Sequence, residues 1–170
     1  MHIGILGYFT EVYMKCIIFS DSHGDSRNMK EALRRNPDAE AVFFLGDGLS
    51  DLETVAERDG CRAYLPVMGN CDRSAVFSST IVKKTDTICL EGQRIVYTHG
   101  DLYGAKYGIG GLLKLAGDTG ASVVLFGHTH TPYQHYEDGL YLFNPGSISV
   151  GEFGIMLITD SGILLSHGKI

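Results

Sequence analysis

Three apolar runs near the start of the chain each end in a short polar motif, with an amphipathic stretch after the first two. Residues 15–20 lead into Asp21-Ser22-His23, residues 41–45 into Gly46-Asp47, and residues 62–68 into Gly69-Asn70-Cys71-Asp72. The stretches between read as helices over about 26–35 and 50–58. Met29 and Leu33 share a face, Ser26 and Ser50 stand at the N-terminal positions, and Asn36-Pro37 and Asp59-Gly60 close them. Strand, helix, strand, helix, strand predicts a parallel sheet, because parallel neighbours need a crossover between them. Such sheets open their ligand crevice at the C-terminal ends of the strands, so these motifs are expected along one edge.

The second half changes character. Residues 80–90 and 93–98 flank Glu91-Gly92 and predict a hairpin whose second strand delivers His99-Gly100. Residues 103–119 predict a loop and then a short helix. The apolar run 122–126 leads into Gly127-His128-Thr129-His130. Residues two apart on a strand share a face but stand about 6–7 Å apart along it, so the two histidines converge on one place only if the chain leaves the strand, and Gly127 is expected to permit that. Strands near 133–137, 140–143, 153–159 and 162–167 alternate with turn signals and predict an antiparallel meander. The whole reads as one domain over 14–170, two packed mixed sheets with helices outside, preceded by an apolar extension over 1–13. That extension is either dispensable, with Met14 a natural start, or an arm that packs on a neighbouring subunit.

The strand ends collect Asp21, His23, Asp47, Asn70, His99, His128 and His130. Two carboxylates, four imidazoles and an amide are too many donors for one open catalytic ion. They suit two divalent ions sharing one carboxylate, and Asp47 is the natural bridge. Asp21, His23, Asp47 and one of His128 and His130 would hold one ion; Asp47, Asn70, His99 and the other histidine would hold the second. Four positive charges against two carboxylates and a bridging hydroxide leave a net positive site, which favours a phosphate ester. Ions about 3.5–4 Å apart clamp a phosphoryl group and activate the hydroxide between them for attack. No Gly-x-Ser-x-Gly elbow or Walker loop supports another hydrolase chemistry.

Bulk properties narrow the partners. A net charge of −6 over 170 residues, without a basic stripe, argues against a nucleic-acid polymer as substrate. No run is long enough for a membrane span. Four cysteines without a CxxC pair, and no secretory signal in the first residues, predict a reducing cytoplasmic setting. Cys16, Cys61 and Cys89 are expected in or near the core. His2, His135 and His167 are expected to be structural or surface residues, and Asp25 and Asp51 cap or loop residues. Arg73 is a candidate for a substrate phosphate and equally a surface arginine. Tyr103 and Tyr107 are candidates to line the cleft. A homo-oligomer is left open by the apolar extension.

The five spaced motifs, with the Asn144-Pro145-Gly146-Ser147 turn, resemble the calcineurin-like metallophosphoesterase superfamily, and within it the small single-domain YfcE-like phosphodiesterases. The likeness runs from Met14 almost to the C-terminus. It implies a four-layer αββα sandwich of two mixed sheets flanked by helices. It assigns His130 to the ion of Asp21 and His23, and His128 to the ion of Asn70 and His99. It implies two divalent ions, manganese ahead of iron, zinc or nickel, and a small phosphodiester or phosphate ester as substrate. Asn70 doubles as a catalytic and substrate-binding residue, and Asp72 is expected to orient its neighbours through hydrogen bonds.

Two positions depart from the pattern. Many phosphomonoesterases of the superfamily carry histidine after the asparagine to protonate the leaving group. Here Cys71 stands there, a poor acid, which predicts diesters over monoesters unless Cys71 is a spacer. Relatives often have histidine at Asp101, where an aspartate either adds negative charge beside the site or is a solvated loop residue. The resulting expectation is a dinuclear metal-dependent phosphodiesterase. The alternatives are a non-catalytic scaffold on the same fold, as in a retromer subunit, and a phosphomonoesterase. Scaffolds tend to have altered ligands, whereas all seven are present here.

Overall fold

The structure is a computed structural model that describes residues 11–170. In chain order it comprises β1 (Val12–Phe19), α1 (Arg27–Arg35), β2 (Ala41–Phe44), α2 (Leu49–Ala56), β3 (Ala63–Pro66), a small hairpin of β4 (Val76–Phe77) and β5 (Thr80–Ile81), and then β6 (Thr85–Leu90) and β7 (Gln93–Thr98). A 3-10 turn at Asp101–Tyr103 precedes α3 (Gly110–Thr119), β8 (Val123–Phe126), β9 (Tyr133–Glu137) and β10 (Leu140–Asn144). A second 3-10 turn at Ile148–Val150 leads to β11 (Glu152–Thr159) and β12 (Gly162–Lys169). One sheet has the order β12-β11-β1-β2-β3 and the other β6-β7-β8-β10-β9. Each is mixed: β1, β2 and β3 run parallel, as do β7, β8 and β10, while the outer pairings are antiparallel.

The apolar runs look continuous because alternate residues serve different layers. Cys16 and Ile18 of β1, Phe43 of β2, Tyr97 of β7 and Leu125 of β8 fill the space between the sheets. Ile17, Phe19, Val42 and Phe44 point the other way, onto Met29, Ala32 and Leu33 of α1 and Leu52 and Val55 of α2. Val96, Val124 and Phe126 do the same against Leu112, Leu115 and Ala116 of α3. Three apolar interfaces make four layers, α1 and α2, sheet, sheet, α3, as the sequence resemblance implies. Among the described residues no helix is long and apolar enough to cross a membrane.

Several local expectations need correction. The last four strands are not one meander. The β9–β10 hairpin joins the second sheet through parallel pairing of β10 with β8, and the β11–β12 hairpin joins the first sheet beside β1. Turn residues set which neighbours form a hairpin, but the vacant sheet edge decides where it docks. The strand expected over 80–90 is two, because residues 80–81 turn back onto β4. Ser26 makes no side-chain cap; the Asp25 carboxylate accepts from the Arg27 N–H instead, at 2.9 Å. Cys61 and Cys89 are exposed. Cys61 follows α2 in a turn, and Cys89 alternates with Ile88 and Leu90, which face the inter-sheet core. β1 begins at Val12, paired with Thr159, so the strand starts before residue 15. The arm and His2 expectations fall on residues 1–10, outside the described residues.

Phe43 is fully buried between the sheets and meets Tyr97 edge to face at 5.2 Å. Phe43→Ala is expected to lower unfolding free energy by about 3–5 kcal/mol, measured by urea denaturation. A loss below about 1 kcal/mol would show that this interface collapses onto the cavity and is not the rigid spacer described here.

Candidate metal centre

The C-terminal ends of β1, β2, β3, β7 and β8 meet at one edge of the sandwich, and backbone hydrogen bonds stitch their loops together. The Asp21 N–H donates to the Gly46 carbonyl (3.0 Å), the His23 N–H to the Asp47 carbonyl (3.1 Å), and the Gly127 N–H to the His99 carbonyl (2.9 Å). Across the seam between the sheets, the His128 N–H donates to Asp21 Oδ2 (3.1 Å).

Asp21, His23, Asp47, His128 and His130 all have left-handed backbone, with φ between 49° and 68°. Asp and His tolerate that region better than most residues, but each such position is strained. The turn that brings His128 and His130 to one place is therefore made by the histidines themselves. Gly127 serves another purpose. A Cβ there would overlap the Ser20 hydroxyl, so glycine lets the two loops close up. A Cβ on Gly69 would likewise overlap the Asp47 carboxylate.

The side chains form two adjoining nests. In the first, Asp21 Oδ1 lies 3.2 Å from His130 Nε2 and 3.7 Å from His23 Nε2, and the two imidazole nitrogens are 3.2 Å apart. Asp21 Oδ1 is buried and accepts no hydrogen bond among the described residues. In the second, His99 Nε2 lies 3.1 Å from Asn70 Oδ1, 3.1 Å from His128 Nδ1 and 3.4 Å from Asp47 Oδ2. His99 Nδ1 is 2.7 Å from the Leu45 carbonyl, which can only accept, so Nδ1 carries a proton and Nε2 turns its lone pair to those three atoms. Asp47 joins the nests: its carboxylate lies within ligand reach of Asp21 and His99, and of His23 and Cys71.

Electron-rich atoms facing one another in this way call for cations. Without an ion, a proton is the substitute. Burial works against a charge on His99, but the Asp47 carboxylate and the charge of Asp21 outweigh it and raise its pKa. Burial likewise pushes Asp47 up, and hydrogen bonding with His99 and the Cys71 N–H outweighs that and holds its carboxyl well below the usual range. His128 is pushed down by burial and by His99 beside it. The buried, partnerless Asp21 oxygen and the converging imidazole and carboxylate donors fit divalent metal in both nests.

Supporting contacts come from residues with no donor role. The Asp72 carboxylate accepts from four backbone N–H groups, those of Asp47, Gly48, Leu49 and Gly69, at 2.8–2.9 Å. It clamps the loop after β2, the start of α2 and the loop after β3 into one body. Asp51 Oδ2 accepts from the Ser22 hydroxyl (2.6 Å) and the Gly24 N–H (2.8 Å). Asn144 Nδ2 donates to the Gly127 carbonyl (2.8 Å), and the Ser147 hydroxyl to the Asp21 carbonyl (2.7 Å). The pattern of the chain alone did not single out Asn144, Ser147 or Ser22 for these contacts; only the recurring Asn-Pro-Gly-Ser turn signalled the first two.

A groove of about 780 Å³ opens from His23, Asp47 and Cys71 along the start of α2 to Arg73 and Val76. Cys71 is exposed at its mouth, with the Asn70 amide donating to its sulfur at 3.2 Å. Tyr103 and Tyr107 do not line it. The Tyr103 hydroxyl is 3.1 Å from Thr85 Oγ1, and Tyr107 points into solvent. Asp101 is not a solvated loop residue: its side chain is 16% exposed, Oδ1 is buried without a partner among the described residues, and Oδ2 lies 3.6 Å from Lys84 Nζ. His135 faces Glu137 at 3.3 Å, and His167 stacks on Phe143, both away from the nests.

A family model described as a calcineurin-like phosphoesterase superfamily domain matches residues 14–160. The chain is 32% identical over 135 residues to the probable metallophosphoesterase YsnB of Bacillus subtilis, covering 79% of this chain and 75% of that protein. It is 28% identical over 159 residues to the phosphodiesterase YfcE of Escherichia coli, covering 83% of each. The structure of YfcE superposes with a TM-score of 0.63 at 23% identity, over 92% of this chain and all of that one. Vacuolar Protein Sorting 29 of Cryptosporidium parvum superposes with a TM-score of 0.77 at 12% identity, over 94% and 99%. At those identities the two superpositions show a shared fold.

Manganese or zinc added to chelator-stripped protein, at about 100 times Kd, is expected to raise unfolding free energy by about 2.7 kcal/mol, read as an upward shift in melting temperature. Proton and ion compete for His99 Nε2, whose pKa is raised, so apparent affinity should fall as pH drops through that value. A melt unmoved by saturating ion at pH 7.5 or so would refute the metal assignment.

Proposed function

Because the chain belongs to the calcineurin-like phosphoesterase superfamily, a metal-dependent family whose membership supports phosphoesterase activity, we propose that it is a dinuclear phosphodiesterase. The observation that carries this reading is the pair of adjoining donor nests sharing Asp47. Asp21, His23, Asp47 and His130 would hold one ion, and Asp47, Asn70, His99 and His128 the other. Bound there, two divalent ions supply Lewis acidity to the phosphoryl oxygens and lower the pKa of water enough for attack at neutral pH.

The chain's own residues do the rest. Leu45 fixes the His99 tautomer through its carbonyl. Asp72 holds the loops that carry Asp47 and Asn70 in register. Asn70, a neutral amide, turns Oδ1 toward His99 and leaves Nδ2 beside Cys71 at the mouth of the groove, where a substrate oxygen would arrive. No nucleophilic side chain is required. A hydrogen bond with the Asp47 carboxylate, with a smaller desolvation contribution, pushes the Cys71 thiol up, so it stays protonated at neutral pH. It is then neither a nucleophile nor an acid strong enough to help a poor leaving group. That supports diesters with good leaving groups over monoesters, and YfcE is itself named a phosphodiesterase. The reading includes manganese as the ion, a small ester as substrate and a cytoplasmic setting, in which exposed Cys61, Cys71 and Cys89 stay reduced.

The test is hydrolysis of bis(p-nitrophenyl) phosphate and p-nitrophenyl phosphate by metal-stripped protein resupplied separately with manganese, nickel, zinc or magnesium. Diester turnover should depend on the ion, with little monoester cleavage. Asn70→Ala and His99→Ala should each lower kcat/KM by about 100-fold or more. Cys71→His should gain monoester turnover, and no gain would remove the role given to Cys71. If no ion restores turnover although two are bound, the scaffold reading replaces this one.

A further inference from the structure

We propose that the groove beside the metal centre contains a second anion-binding subsite built on Arg73. The substrate would then be a phosphodiester with a further phosphate or carboxylate on one of its alcohol groups. The proposal rests on the phosphodiesterase reading above and adds a substrate class to it.

The groove, about 780 Å³, is far larger than one phosphate group needs and is within the range of pockets that enclose a whole small molecule. Its charged lining is mostly acidic, but those carboxylates are already engaged. Asp72 accepts from four backbone N–H groups. Asp51 accepts from Ser22 and Gly24. Glu53 Oε1 accepts from the Ser78 N–H at 3.2 Å. At the start of α2, Asp72 takes the N–H groups of Gly48 and Leu49, so a ligand anion there would meet the Asp72 carboxylate.

Among the described residues Arg73 is the one lysine or arginine along the groove. Among the described residues Arg27, Arg34, Arg35 and Arg62 each pair with a nearby carboxylate; Arg58, Arg73 and Arg94 do not, and of these three Arg73 is the one that lines the groove. Arg73 forms no ion pair or hydrogen bond among the described residues, although Asp51, Glu53 and Asp72 share its groove. Its backbone follows directly from Asp72, the most tightly hydrogen-bonded side chain of the site. The guanidinium thus projects from an anchored point while its fork stays free for a two-point contact with phosphate or carboxylate. The surrounding carboxylates sharpen the choice. They disfavour a second anion along the groove between the nests and Arg73, so away from the metal centre an added charge is best placed where it meets Arg73.

The test uses matched p-nitrophenyl phosphodiesters whose second alcohol is propyl, carboxyalkyl or phosphoalkyl. The spacer length is varied, and a parallel series carries the charge on the nitrophenyl ring. Manganese-loaded wild type is compared with Arg73→Ala, Arg73→Lys, Arg73→Glu and the surface control Arg58→Ala. Wild type should prefer the best anion-bearing ester to the propyl ester by about tenfold or more in kcat/KM, chiefly through KM. The ratio should fall toward one in Arg73→Ala, drop below one in Arg73→Glu, survive in part in Arg73→Lys and persist in Arg58→Ala. The carboxylate and phosphate arms identify which anion the subsite takes. A wild-type ratio at or below one, or a ratio unchanged by the Arg73 substitutions, overturns the proposal. If no diester is turned over, the phosphodiesterase reading fails. The binding order of non-hydrolysable phosphonate counterparts, measured by calorimetry, then still decides the subsite.

Discussion

Phe43 of β2 and Tyr97 of β7 meet edge to face across the interior that separates the two sheets, and the same strands deliver Asp47 and His99 a few residues later. The candidate metal centre depends on that packing. Asp21, His23, Asp47 and Asn70 come from one sheet, and His99, His128 and His130 from the other. The distance between His99 Nε2 and Asp47 Oδ2, 3.4 Å, is therefore a reading of how the inter-sheet core is filled. Close-packed interiors hold such distances to fractions of an ångström because they do not deform smoothly. The Leu45 carbonyl and the His99 ring, hydrogen-bonded at 2.7 Å across the same seam, convert the packing into a fixed tautomer.

Converging donors have a conformational cost. Five of the candidate ligands have left-handed backbone, a region unfavourable by about 1–2 kcal/mol per residue for most L-residues and less so for aspartate and histidine. The strain persists because the surroundings over-determine it. Asp72 draws four N–H groups from three segments onto one carboxylate, Asp51 ties the loop after β1 to α2, and Asn144 and Ser147 hold the carbonyls of Gly127 and Asp21. These four residues are not metal ligands. They are what allows the ligands to stand where isolated chain segments would not put them.

Charge is arranged on the same plan. A protein of net charge −6 gathers acceptors with few donors to match them, a partnerless buried oxygen on Asp21 among them. That is an arrangement made for cations, and it turns the centre into a positive spot once they are bound. Outside the nests, the carboxylates of the groove are consumed in holding loops, which leaves Arg73 as the free basic charge facing the groove among the described residues. The same residue type, aspartate, thus stands as a candidate ligand at 21 and 47 and as a backbone clamp at 51 and 72. Burial and hydrogen-bond partners separate the two uses.

Much of the fold was legible in the chain. Apolar runs at 41–45 and 122–126, helical spacing at Met29 and Leu33, and turn signals at Glu91-Gly92 and Asp138-Gly139 are local properties that depend on side-chain chemistry and period. The motif at each strand end was legible for the same reason, since a parallel sheet places such ends at one edge. What the sequence by itself determined is the set of elements and the donor types available. Tertiary structure alone decided which sheet each C-terminal hairpin joined, that the histidines of Gly127-His128-Thr129-His130 and not the glycine make the turn, that Asn144 and Ser147 brace the site, and that Cys61 and Cys89 face solvent. Each of these depends on contacts between residues far apart in the chain, at vacant sheet edges or across the seam between sheets. Local pattern carries no record of them, because their energies arise only when the layers close.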